Sequence, residues 1–202
     1  MDEQLARVRF LSSRFAELQG LRVAVAGATL ALVFGSYLMS GHPTHTGGMI
    51  ALAASFLLML PAEWWIDRYY VTTFGRQVAS RPSKWPTLAF LTAYMLVATY
   101  LNRRFPEIPA GAPTAGTVVL MSFFVAVRDW PWRTHYAAVA AAVAAAFSMN
   151  VIGVDVIDRG MTLTTTFFVT GLAFIRAGLL DHRLLMKLIE ESRRGLTAGT
   201  SA

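Results

Sequence analysis

Six stretches of the chain hold no Asp, Glu, Lys or Arg: Val23–Met39, Met49–Leu60, Leu88–Leu101, Thr114–Val127, Tyr136–Val154 and Met161–Ile175. A soluble core is built from amphipathic helices or alternating strands and has no need of such uninterrupted runs. A bilayer does, at roughly 20 apolar residues per helical span. The pattern therefore predicts an all-α fold, a polytopic membrane helix bundle with six transmembrane helices. They are expected at about Leu21–Ser40, Gly48–Ile66, Pro86–Leu101, Thr114–Val127, Thr134–Ile152 and Met161–Leu180.

The flanks read differently. Over Asp2–Gln19, Leu5, Val8, Phe15 and Leu18 recur at helical spacing with Leu11 close to the same stripe, while Arg7, Arg9 and Arg14 occupy other faces. This is an N-terminal amphipathic helix, placed either on the membrane surface or against the protein's own cytoplasmic loops. After Leu180, Leu184, Leu185, Leu188 and Ile189 mark an apolar face, and Arg183, Lys187, Glu190, Glu191, Arg193 and Arg194 a polar one. That pattern predicts a cytoplasmic C-terminal helix ending at Gly195, with a disordered tail beyond. The domain organisation expected is residues 1–20, the six-helix domain 21–180, and the segment 181–202.

Small residues and aromatics refine the picture. Ala24, Gly27, Ala28 and Gly35 on the first span permit close helix approach, and the alanines of Ala137–Ala146 place the fifth span inside the bundle. Pro61 should bend the second span or loosen its backbone bonds. Trp64, Trp65, Tyr69, Tyr70 and Trp85 suit the headgroup level, where one end of each ring is wet.

Composition agrees: 55% of the 202 residues are hydrophobic, 15% are charged, and mean hydropathy is +0.48. There is no cysteine, which excludes disulfides, thiolate nucleophiles and cysteine metal ligands. A net charge of +6 in a soluble chain would suggest nucleic acid. Here the basic residues flank the spans, so anionic lipid headgroups are the expected partner and nucleic acid is not. Of the eighteen Lys and Arg, fifteen fall in the N-terminus, the second–third loop, the fourth–fifth loop and the C-terminus. By the positive-inside rule both termini are cytoplasmic, in a multi-pass protein of the plasma (inner) membrane of a bacterium-like cell.

Few residues offer chemistry. Apart from Arg22 and Glu63 near the ends of the first two expected spans, Arg176 is the one charged side chain within a span, and intramembrane charge marks either an anion contact or an arginine that reaches the interface or pairs with Glu63 or Asp67. Glu63 and Asp67 are four apart and share a helix face. Arg128 and Asp129 begin the tight connector Arg128–Arg133. These five, Arg176, Glu63, Asp67, Arg128 and Asp129, are the candidate ligand or partner contacts. No catalytic residue, metal site or cofactor is expected. His42 and His45, with Glu107, Asp155 and Asp158 on the same side, form no defined ligand motif and read as solvated turns. Zinc-protease, serine-elbow and phosphate-loop patterns are absent, as are paired acids deep in the spans.

The expected function is that of a non-enzymatic accessory or sensor subunit of a membrane complex, with a protein partner at the cytoplasmic face and a homo-oligomer as candidate assemblies. The alternative is a small-solute transporter or the substrate-binding membrane component of a transport system, on size and span count alone.

Overall fold

The computed structural model describes residues 10, 14–15, 18–40, 45–74, 97, 100, 104, 112–151 and 159–199. Among them lie five helices and no strand: α1 Gly20–Ser40, α2 His45–Phe74, α3 Ala112–Arg128, α4 His135–Val151 and α5 Arg159–Gly199. The chain is thus all-helical where it is described. Of these helices one, over Gly20–Met39, is clearly long and apolar enough to cross a membrane. α3 and α4 are shorter apolar helices, at 17 residues each. The third expected span lies outside the described residues apart from Val97 and Tyr100.

The helices form a row of neighbours in the order α2, α1, α5, α4, α3. Its centre is the antiparallel pair α1–α5, whose backbones nearly touch. Gly20 faces Gly178, and Gly27 faces Gly171. Both glycine pairs are seven residues apart, two turns of helix, so each repeats on one face. A Cβ on Gly27 would stand 2.6 Å from the Gly171 carbonyl oxygen, and one on Gly171 would stand 2.6 Å from the Ala31 nitrogen. Toward the other end Phe34 stacks on Phe167 with ring centroids 4.7 Å apart.

Two apolar cores flank this pair. One joins Phe15, Leu18, Ile66, Tyr70, Leu185 and Leu188; the other joins Ala115, Ala126, Tyr136, Val139, Val143 and Ala177. The first resolves the placement of the N-terminal segment at its described residues. Phe15 and Leu18 are buried under α2 and α5, and Phe10 stacks on Trp132 with centroids 5.4 Å apart. The segment packs on the protein itself there. Leu5, Val8 and Leu11 lie outside the described residues.

Several expectations are corrected. Gly195 does not end the charged segment: α5 runs unbroken from Arg159 through Asp181 and past Gly195 to Gly199. A lone glycine in a helix costs only about 1 kcal/mol, too little to end it. α4 is not enclosed: Val139, Ala140, Val143 and Ala146 are buried, but Ala137, Ala138, Ala141 and Ala145 are exposed. α2 is longer than the expected second span, running from His45 to Phe74 with Pro61 inside it. Tyr70 is 3% exposed and packs inside, whereas Trp64 and Trp65 are exposed.

Candidate functional site

The start of α1, the ends of α2 and α3, the start of α4 and the middle of α5 meet at one end of the bundle. The connector Asp129–Thr134 turns there through a cis Trp130–Pro131 peptide. Two carboxylates are buried at this end, Asp129 at 3% and Asp181 at 0% exposed. Arg133, itself 4% exposed, bridges them. Its Nε donates to Asp181 Oδ1 at 3.1 Å and its Nη2 to Oδ2 at 2.6 Å, while Nη1 donates to Asp129 Oδ2 at 3.2 Å. The planar guanidinium can serve both acids at once because its donors fork in fixed directions.

Each carboxylate has further partners. Tyr136 donates its hydroxyl to Asp181 Oδ2 at 2.9 Å, and its ring lies 4.7 Å from the Arg133 guanidinium carbon. His135 places Nε2 3.0 Å from Asp181 Oδ1, but without the alignment of a hydrogen bond. Arg128 grips Asp129 with Nε at 3.0 Å and Nη2 at 3.1 Å, and Arg14 reaches the same carboxylate at 3.3 Å. Burial acts to raise the Asp129 pKa; the hydrogen bonds from Arg128 and Arg133, with the charges of Arg128 and Arg14, outweigh it and hold the carboxyl below its ordinary range. Burial likewise works against the Arg133 charge, and its bonds to Asp181 overcome that, so its pKa is raised. Asp129 is held by three arginines and Asp181 by Arg133 and the Tyr136 hydroxyl, so the cluster is suited to clamping elements together rather than to abstracting protons.

Beside it Tyr70 links three elements. Leu21 N–H points at the Tyr70 hydroxyl at 3.4 Å, and that hydroxyl lies 3.1 Å from His182 Nδ1. The hydroxyl thus joins the start of α1, the end of α2 and the middle of α5, and the tautomer of His182 sets which of the two groups donates. Burial lowers the His182 pKa and raises that of Tyr70 to about 12, both consistent with a neutral pair.

The five candidates from the sequence part company. Arg128 and Asp129 enter the cluster. Asp67 forms an exposed ion pair with Arg22, and Glu63 stands half-buried one turn away on α2. Arg176 pairs with neither Glu63 nor Asp67; it lies at a groove of about 410 Å³ between α4 and α5, and has no ion-pair partner among the described residues. Of the histidine-and-acid set on the other side, only His45 is described, as the first residue of α2. No group of three or more metal-ligating residues occurs among the described residues.

Sequence reading missed Arg133, Asp181, Tyr136, Tyr70, His182 and Arg14 as members of one constellation. A signal existed for Asp181. It falls in helical register with Ala177, Leu185 and Leu188, all buried, so an acid interrupts an apolar stripe. No comparable signal marks Arg133 in the irregular connector.

Compared with known proteins, the chain matches no family model, no curated protein and no solved structure.

Proposed function

We propose that the chain is a six-span protein of the inner membrane with both termini in the cytoplasm, and that it works without catalysis as an accessory or sensor subunit of a membrane complex. Leu57, Leu58, Leu60, Leu120, Phe123 and Phe124 are each more than half exposed on the outside of the bundle, which supports lipid as their surroundings. The ends gathered around Asp129 and Asp181 are those that the distribution of basic residues assigns to one side, which supports the alternating topology.

The observation that carries the subunit reading is α5. It runs 41 residues, ~61 Å at helical rise, without a break. At Asp181 it is clamped to the connector by Arg133, and beyond that it carries the charged face of Arg183, Lys187 and Glu190. A shift of the apolar half is transmitted rigidly to the charged half, where a partner would read it. The test is a gentle-detergent pull-down from the native membrane with mass-spectrometric identification. A stoichiometric second protein, lost when Arg183 and Lys187 are changed to Glu, is expected. Recovery of the chain alone or only as a homo-oligomer would sink the subunit reading and leave the substrate-binding alternative, which the position of Arg176 beside a groove favours.

A further inference from the structure

The α4–α5 groove owes its existence to alanine. Ala138 and Ala142, four apart on the half-exposed face of α4, leave a furrow against Val169 and Leu172 of α5. Arg176 enters it from α5, five residues or roughly 7.5 Å before the level of Asp181 by helical rise. His135 closes the polar end. Apart from Arg176 and His135 the walls are apolar, and Ala138 and Leu172 are exposed, so the groove opens sideways onto the apolar exterior.

We infer that this groove binds an anionic phospholipid, its phosphate held by Arg176 and one acyl chain lying along Ala138, Ala142, Val169 and Leu172. The inference rests on the membrane reading proposed above. An arginine without an ion-pair partner among the described residues, in an apolar groove, calls for an anion, and the planar guanidinium matches a phosphate with two parallel hydrogen bonds. A small soluble anion would leave the apolar walls uncovered. A phospholipid satisfies both parts, and its phosphate sits one to two turns from the polar end, where a cytoplasmic-leaflet headgroup would lie.

The test is native mass spectrometry of the full chain released from detergent, titrated with phosphatidylglycerol and with phosphatidylcholine of identical acyl chains. One phosphatidylglycerol is expected to bind at least about tenfold more tightly than phosphatidylcholine. Arg176→Gln, an exposed position where folding is not at stake, should erase the preference. Arg176→Lys should keep most of it, and Ala142→Trp, which fills the furrow, should weaken both lipids. Equal affinity for the two lipids, an undiminished preference in Arg176→Gln, or displacement by glycerol 3-phosphate lacking acyl chains would each overturn the assignment. Carbonate extraction separates this from the parent reading: a chain that stays in the pellet yet shows no lipid preference loses only the groove assignment, and a chain released to the supernatant loses both.

Discussion

Asp181 is the side chain on which the polar end depends. Its two oxygens take the fork of Arg133 and the hydroxyl of Tyr136 with no exposed surface left. Asp181→Asn would leave Arg133 buried with half its charge unmatched, a change that costs about 3–5 kcal/mol when one member of a buried pair is removed. Thermal unfolding in detergent should show that loss. The double variant Asp181→Asn with Arg133→Met should recover most of it, since no stranded charge remains. A double variant as weak as the single one would mean that Asp181 acts through something other than Arg133. Neighbouring His182 sets a pH response. Its folded pKa is depressed below the ordinary 6.5, so the unfolded chain takes the proton first. Its contribution is complete above pH 6.5 and falls away as pH drops from there toward the folded value. Asp129 acts lower: its carboxyl is held below 3.8, so its contribution is complete above that value and lost as pH falls through the folded one. Stability should therefore decline in two steps on acidification. His182→Gln, which keeps a polar group near Tyr70 without the titration, should remove the upper step alone. The groups around His182 are Tyr69, Tyr70 and the adjoining Asp181 and Arg183.

At the scale of elements, the α1–α5 pair decides how the helices sit. The small residues of the first span were legible as a close-packing face, but the glycines that answer them, Gly171 and Gly178, were obscured by the bulky Leu172, Phe174 and Ile175 around them. Helical register resolves this, because the glycines share one face and the bulky residues take others. Gly27→Ala would drive a methyl into the Gly171 backbone, which has no side chain to move aside, and should cost about 1–3 kcal/mol. Gly116 is the matching control. A Cβ there meets nothing within 4 Å, so Gly116→Ala should instead stabilise by about 0.5–1 kcal/mol through helix propensity. The two melting temperatures moving together, in either direction, would mean that α1 and α5 do not approach as closely as described. Helix ends were less legible than helix faces. Gly195 read as a stop and Asp181 as a boundary, yet both lie inside α5, where packing against α1 and the clamp at Arg133 override the local signals.

For the whole molecule, helical character was legible from the uncharged runs alone, because their lengths and spacing leave little else for the chain to form. The pairing order was not, since apolar stretches of similar composition carry no label for their neighbours. That order instead follows from residues of opposite kinds, glycines that admit a backbone and a buried acid that demands an arginine. What surrounds the molecule can be read chemically, because the chain has no cysteine and any introduced thiol is the only one. Three single-cysteine variants suffice. Thr44→Cys, between α1 and α2, should react with a membrane-impermeant maleimide on intact cells. Lys187→Cys, 73% exposed beyond the clamp, should react only after permeabilisation. Leu57→Cys is the decisive one. It is 70% exposed in the isolated bundle, so water would reach it freely if the bundle were bathed in solvent. In hydrocarbon the thiol cannot ionise to the reactive thiolate, and it should stay unlabelled both before and after permeabilisation, becoming reactive only when the protein is denatured. Rapid labelling of Leu57→Cys in the folded protein would remove lipid from this face and, with it, the six-span topology; silence there, with Thr44→Cys and Lys187→Cys labelled from opposite sides, requires that the apolar exterior of α2 faces the bilayer and that the clamped end lies in the cytoplasm.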